Sequence, residues 1–387
     1  MNRKLKMTLA LCGCAFVPLP LGFADSPKKT PSGAYVTTDH SGNVFHIDST
    51  EISLAPLPTL KHAPVVTALS ASQQGEFLAA AGDDHSIRVI QVATGSVVST
   101  LLGHQDWIQT VCFTPDSHTL YSAGDDGRVL KWSHLNRAGL APSQARTQTQ
   151  ASSAANAHQE LFQVPFAIRS LAISPDQKLL AVAGFSQEII VWDLLENKIV
   201  RRLSCMSGDL RVIRFSAQSD KILAGGRAGD LYVWETQTGQ ELAQFHDHSD
   251  RIHTAEFDAL GESITSAAND RQLIRYSLKD KQVAKQTELG PAKLRSMCLI
   301  DADWIAVSGA DNSVHLYDQS EDRVLAHLQG HTGTVAVMTT CGRFLASGSF
   351  DTTIRLWDLQ SMDLQAIEAE EPSSRKVNRT ESTPRIR

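Results

Sequence analysis

A beat of about 42 residues runs along this 387-residue chain. Ile47, Ile90, Trp132, Trp192, Trp234, Tyr276, Tyr317 and Trp357 close eight similar apolar stretches, at intervals of 43, 42, 60, 42, 42, 41 and 40 residues. A period of that length means that one supersecondary unit is stacked on copies of itself, because so small a unit cannot bury its apolar faces alone.

The local pattern around each landmark names the unit. VCFTPDSHTLYSAGDDGRVLKWS (111–133), LAISPDQKLLAVAGFSQEIIVWDL (171–194) and MTTCGRFLASGSFDTTIRLWDL (338–359) each hold three short β-branched runs separated by Pro, Asp, Gly or Ser turns. Such runs read as strands joined by tight hairpins. A fourth run follows in most copies, as in SVVSTLLG (96–103) and ELAQFHD (241–247). The unit is therefore a four-stranded antiparallel sheet, and radial packing of such sheets about an axis buries both faces and leaves few free edges.

These residues resemble the WD40 repeat family of β-propellers over roughly 34–366. Trp192-Asp193 and Trp357-Asp358 match the dipeptide that names the family; Trp234-Glu235 and Tyr317-Asp318 are close, and Ile90-Gln91 and Ile47-Asp48 have drifted. The resemblance implies an all-β propeller of seven or eight four-stranded blades. It also implies a hydrogen-bonded set of His, Ser or Thr, Asp and Trp in each blade. By spacing these are His104, Ser122, Asp126 and Trp132 in one blade and His331, Ser347, Asp351 and Trp357 in another. His248, Ser266 and Asp270 look similar with Tyr276 in place of Trp, whereas Ser186 stands where one Asp belongs. A His beside Ser and Asp also suggests a catalytic triad. Recurrence once per blade favours a structural lock instead, since buried polar groups need partners and a chain of them fixes one strand arrangement.

Seven copies, starting near 62, 104, 164, 206, 248, 290 and 331, hold four strands each. Residues 34–58 (AYVTTD, NVFHID, EISLAPL) look like three more. Either they begin an eighth blade completed from the C-terminus, or seven blades close and these strands pack outside or replace poor ones; the strand count leans to eight.

The N-terminus is basic in MNRKLKM, apolar in TLALCGCAFVPLPLGF, and ends in small residues at Gly22-Phe23-Ala24. This is the three-part pattern of a secretory signal, too short and too broken by Pro for a spanning helix. Cleavage after Ala24 is preferred to a lipid anchor on Cys14, because AFVPLPLGF is too apolar for a lipoprotein linker. Residues 25–33 would then be a linker and 34–366 the propeller. Cleavage removes Arg3, Lys4 and Lys6 and no acid, which takes the formal net charge from −6 to −9. Such a balance excludes general nucleic-acid binding. The remaining cysteines, Cys112, Cys205, Cys298 and Cys341, have no close pairing pattern and read chiefly as small buried apolar side chains.

The 60-residue interval carries an insertion at 134–159, rich in Ala, Gln, Ser and Thr, and 367–387 has a similar character. Neither offers enough apolar surface to offset its ordering entropy. No phosphate loop, metal-ligand spacing or nucleophile elbow occurs, so no cofactor, metal or catalytic residue is expected. The acidic pairs Asp83-Asp84 and Asp125-Asp126 recur at equivalent turns, with Asp83 and Asp125 expected to face solvent.

One register exceeds what the fold needs. Arg169, Arg211, His253 and Arg295 follow one another at 42-residue steps near the start of the inner strands, with Thr67, Gln109 and Ala336 at the equivalent places of other blades. Arg227, Arg251 and Lys293 adjoin them. The resemblance puts this position near the mouth of the central channel, on the face that such propellers most use for partners. Converging guanidinium groups suit carboxylate, phosphate or sulfate; the opposing view is that each Arg pairs with its own blade's carboxylates. The sequence thus leads to a secreted or periplasmic, non-catalytic platform for a protein or peptide, with an anionic segment at the mouth. An enzyme with its active site in the channel, or a cytosolic WD40 scaffold if the signal reading fails, are the alternatives. Nothing sets the oligomeric state.

Overall fold

The computed structural model describes residues 33–38, 44–57, 62–133 and 158–361. The expected signal at 1–24, nearly all of the linker and insertion, and the tail at 367–387 lie outside these residues. Every described element is a strand, and the strands form seven antiparallel sheets, six of four strands and one of five. The inner strands of blades 1 to 7 are Val66–Ala71, Ile108–Phe113, Ile168–Ile173, Leu210–Phe215, Ile252–Phe257, Leu294–Leu299 and Val335–Cys341. In each blade the second and third strands follow outward in sequence order.

The blade count is seven, which corrects the lean towards eight. Two of the short N-terminal runs, NVFHID and the start of EISLAPL, form one long strand, β2 (Val44–Ser53), after β1 (Gly33–Thr38). β2 pairs antiparallel with Thr353–Asp358, the third strand of blade 7, so the chain's beginning supplies that blade's fourth strand. β1 adds a fifth on the outer side. Ile47 therefore sits in an outer strand, and its place on the 42-residue beat does not mark a blade of its own. Ile47 and Ile52 lie an odd number of residues apart and so face opposite sides of the sheet. Ile47 packs with Leu325, Leu328 and Trp357 at the boundary of blades 6 and 7; Ile52 packs with Leu78 and Ile90 of blade 1.

The core is divided in the same way. Seven apolar clusters of described residues occupy the seven boundaries between neighbouring blades. The landmark aromatics fill them: Trp132, Tyr276 and Trp357 are at most 1 % exposed. Several outer strands lack that packing, as in Lys198–Ser204, where only Leu203 is buried, and this is why their sequence signal is weak. Polar stitches join the inner strands across blade boundaries. Ser70, Ser170 and Ser296 accept hydrogen bonds from the backbone N–H of Phe113, Ile213 and Met338, at 3.0, 3.1 and 3.0 Å. At the far ends of blades 1 and 7, Gly75 adopts φ +69°, and a Cβ there would lie 2.6 Å from the Gly342 nitrogen, so only glycine allows that approach.

Trp357 carries the ring-closing boundary. Trp357→Ala is expected to lower unfolding free energy by about 3–5 kcal/mol, the cost of a large cavity in a core that cannot collapse. Urea titration checks this, and an unmoved midpoint would mean that blade 7 is held elsewhere.

Candidate functional site at the channel mouth

A shared backbone irregularity positions the site. Pairing between each inner strand and its neighbour slips at one residue near the start, and the skipped residues are Thr67, Gln109, Arg169, Arg211, His253, Arg295 and Ala336. A bulged residue leaves the ladder and its side chain is re-aimed. All seven line one central cavity of about 570 Å³. Close approach accompanies the bulge: a Cβ on Gly124 would fall 2.0 Å from the Trp107 carbonyl oxygen.

The cationic register is interleaved with carboxylates. Arg169 Nη1 lies 3.1 Å from Asp125 Oδ1, and Gln109 Nε2 donates to Asp125 Oδ2 at 3.2 Å. Asp125 is thus enclosed, contrary to the expectation that it faces solvent, and burial raises its pKa against the pull of Arg169. Asp83 is likewise engaged, accepting from the Val65 N–H at 2.9 Å. Arg211 approaches both oxygens of buried Asp209, at 2.7 and 3.1 Å, and Arg251 lies 3.5 Å from the same carboxylate. Lys293 is 3.8 Å from Asp250. Arg295 differs: its Nη1 donates to His253 Nε2 at 3.2 Å, and it has no carboxylate at ion-pair distance among the described residues. Arg227 is exposed and does not line the cavity.

His253 is held neutral. Burial is the largest cause, joined by the charges of Arg295, Arg211 and Arg251, and together they push its pKa down to about 3. Burial and the like charges of Arg251 and Arg211 also lower that of Arg295. Deeper in the channel Arg214 Nε donates to Glu256 Oε1 at 2.6 Å. Burial pushes the Cys112 and Cys298 thiols up to about 11 and 12, far from the thiolate that nucleophilic chemistry needs. The four described cysteines are unpaired.

The structure brings the two full sets of lock residues together. His104 Nδ1 lies 2.8 Å from Asp126 and Nε2 lies 2.7 Å from Ser122 Oγ, which accepts from Trp132 Nε1 at 2.8 Å. Because Ser122 Oγ accepts from the indole, its own hydroxyl proton is free for His104 Nε2, leaving Nδ1–H for Asp126. In blade 7 the distances are 2.9, 2.8 and 2.9 Å for His331 with Asp351, His331 with Ser347 and Trp357 with Ser347. His248 contacts Asp270 and Ser266 at 2.9 and 2.7 Å in blade 5. In blade 3, where Ser186 replaces Asp, Trp192 Nε1 has no acceptor among the described residues and its ring stacks on Phe162 at 4.4 Å.

Sequence reasoning missed three substitute arrangements, each using the residue two places before the landmark. Arg88 meets Asp84 at 2.7 Å in blade 1, Tyr232 donates to Asp230 at 3.2 Å in blade 4, and His315 Nε2 meets Asp311 at 2.9 Å in blade 6. A polar residue at that place in a blade without a complete His, Ser, Asp and Trp set was the available signal; blade 7 has Arg355 there as well as a full set. It also missed an apolar ledge. Phe185, 43 % exposed, lies under Arg169 and Arg211 at 4.6 and 5.1 Å, and Trp107 and Met206 stand exposed on the adjoining loops of blades 2 and 4.

The closed ring of seven blades, most of them with a polar tie at the turn after the second strand, defines a seven-bladed β-propeller. The family model described as "WD domain, G-beta repeat" matches residues 54–91, 95–133, 159–193 and 322–358. The chain is a WD40 repeat β-propeller. It is 22% identical to the Neurospora crassa periodic tryptophan protein 2 homolog, over 85% of this chain and 44% of that protein. Similarity to eukaryotic translation initiation factor 3 subunit I of Scheffersomyces stipitis is 24%, over 59% of this chain and 64% of the relative. With E3 ubiquitin-protein ligase COP1 of Arabidopsis thaliana it is 25%, over 52% and 32%. The chain spans less than two thirds of each of these relatives.

These comparisons correct the secreted or periplasmic expectation. Translation initiation and ubiquitin ligation, named for two of these relatives, are intracellular processes. The expectation rested on residues 1–24 alone, and an apolar start with a few basic residues is a short pattern that many chains satisfy. The net charge of −9, which assumed cleavage, falls with it; the full chain carries −6.

His253 gives a pH test of the mouth. The unfolded chain binds a proton at this group below about pH 6.5, whereas the folded protein does so only near pH 3. Its contribution is therefore complete above pH 6.5 and is lost as pH falls towards 3, with a slope of up to about 1.4 kcal/mol per unit. His253→Gln should remove that component from a plot of unfolding free energy against pH, measured by urea titration. An identical plot for the variant would contradict a buried neutral imidazole.

Proposed function

We propose that this chain is a WD40 scaffold inside the cell, a non-catalytic platform that holds a protein partner by an anionic segment laid over the channel mouth. The observation that carries the reading is Arg295, a half-buried guanidinium bonded to a neutral imidazole while its neighbours are engaged by carboxylates. A guanidinium in that state keeps its fork of donors for a bidentate carboxylate or related anion. The ledge of Phe185, Trp107 and Met206 adds exposed apolar area beside it, and such mixed aromatic and arginine surfaces are where binding energy concentrates. One relative is named as a subunit of a larger factor, which supports an assembly role, while another is named as a ubiquitin ligase.

Chemistry at the mouth supports the non-catalytic reading. The carboxylates of Asp125, Asp209 and Glu256 are engaged by Arg169, Arg211 and Arg214, the imidazole is too acidic for general base work near neutral pH, and the channel thiols are protonated.

Arg295 and Arg211 separate binding from structure. Affinity capture with Arg295→Ala bait should recover the partner at a level reduced by about tenfold or more, with thermal unfolding unchanged. Arg211→Ala leaves buried Asp209 without its close partner and should cost about 2 kcal/mol of stability. Undiminished recovery with Arg295→Ala bait would rule out the mouth as the docking place.

A further inference from the structure

One histidine is enough to tie the turn of blade 6, and the blade has two. His315 Nε2 donates to Asp311 Oδ2 at 2.9 Å, which does for this blade what Arg88 and Tyr232 do for blades 1 and 4. Directly across from Arg88 and Tyr232 the fourth strand carries Thr100 and Gln244. Across from His315, in Arg323–Leu328, it carries His327. The two Nδ1 atoms lie 2.6 Å apart, with the rings close to perpendicular at 88°. The tie to Asp311 does not require this second imidazole.

Because His315 gives its Nε2–H to a carboxylate, its Nδ1 is left with a lone pair. A second imidazole nitrogen can stand so close to that lone pair only with a cation between them, which is either a proton carried by His327 or a metal ion bound by both. The far side of His315 fits the metal. A carboxylate on the other nitrogen of a ligating histidine orients the ring and raises the basicity of the ligating nitrogen. Asp311 is itself held, its Oδ1 accepting from the Ser313 N–H at 3.4 Å. Two nitrogens on one ion at about 2.0–2.1 Å each stand about 3.3 Å apart, so the pair would open by roughly 0.7 Å from its 2.6 Å. His315 is buried and fixed, whereas His327 is half-buried and can supply that movement and admit the ion. Imidazole suits zinc, copper and nickel, while magnesium and calcium take oxygen ligands. No group of three or more His, Cys, Asp or Glu is placed to hold an ion among the described residues, so water fills the remaining positions.

We propose that His315 and His327 bind one divalent transition-metal ion between the third and fourth strands of blade 6, with Asp311 as the positioning residue behind His315. None of the three lines the channel cavity. The ion clips the blade's outer strand to the strand that carries the turn's tie, on the flank of the propeller and independently of what the mouth binds.

The test is equilibrium dialysis of the chelator-treated full chain against Zn²⁺, joined by electron paramagnetic resonance of the Cu²⁺-loaded protein. The wild type should take up zinc at a site that excess Mg²⁺ does not displace, and its copper spectrum should carry the splitting of two imidazole nitrogens. His327→Gln leaves the bond between His315 and Asp311 in place, so it should fold, which circular dichroism checks; it should bind zinc at least about tenfold more weakly and show one nitrogen. Asp311→Asn should weaken zinc by about 10- to 100-fold and keep the two-nitrogen splitting. His118→Gln, which removes an exposed histidine elsewhere, should change neither readout. Zinc uptake that is undiminished in His327→Gln, or that falls as far in His118→Gln, would mark an adventitious ion on exposed histidines and overturn the proposal. No uptake by the wild type would show that the pair shares a proton instead, and would overturn it as well.

Discussion

Ring closure by β2 is the constraint on which the rest depends. Six sheets are built from consecutive strands, but blade 7 has only three of its own and borrows the fourth from the beginning of the chain. Without that pairing the third strand of blade 7 would be an open edge, and the boundaries packed by Ile47 and Ile52 would lose one wall each. Ion pairing reinforces the closure: Arg355 of blade 7 meets Glu51 of β2 at 2.5 Å. Since every bulge faces a common axis, the mouth exists only when the circle is complete.

The blades solve one local problem by several chemical routes. Each has to tie the turn after its second strand to the body of the sheet. Blades 2, 5 and 7 use a histidine from the preceding loop; blades 1, 4 and 6 reach the turn's acid from the third strand, with arginine, tyrosine and histidine respectively. Blade 3 has no acid there and relies on aromatic stacking. What recurs is a tie between turn and sheet and not a residue type, with blade 3 the exception, where Trp192 Nε1 is left without an acceptor among the described residues. This explains how a 42-residue period survives although few positions are identical between copies.

Much of the fold was legible from residue order, because apolar period and turn chemistry act locally. Trp132, Trp192 and Trp357 fill the blade boundaries that their spacing suggests. The count of blades was not legible: Ile47 falls on the beat by position, yet its partner strand lies more than 300 residues away, and no local pattern records that. At the site, the register of Arg169, Arg211, His253 and Arg295 was visible as arithmetic. Which cations are occupied was not, since Asp209 engages Arg251 of the following blade as well as its own Arg211. The ledge was hidden for a similar reason: Phe185 meets Arg169 and Arg211 only when neighbouring blades pack together.

The bulge has a consequence for how such a chain can change. The skipped residue of each inner strand makes no ladder pair with the second strand, so exchanging it leaves the backbone ladder intact, and what an exchange costs depends on the neighbour that the side chain holds, as Arg211 holds Asp209. Thr, Gln, Arg, Arg, His, Arg and Ala, read once around the circle, amount to a seven-letter word written on an otherwise fixed frame. A lineage, or a designer, can rewrite that word one letter at a time and thereby alter what the propeller greets, provided each new letter also suits the carboxylate beside it.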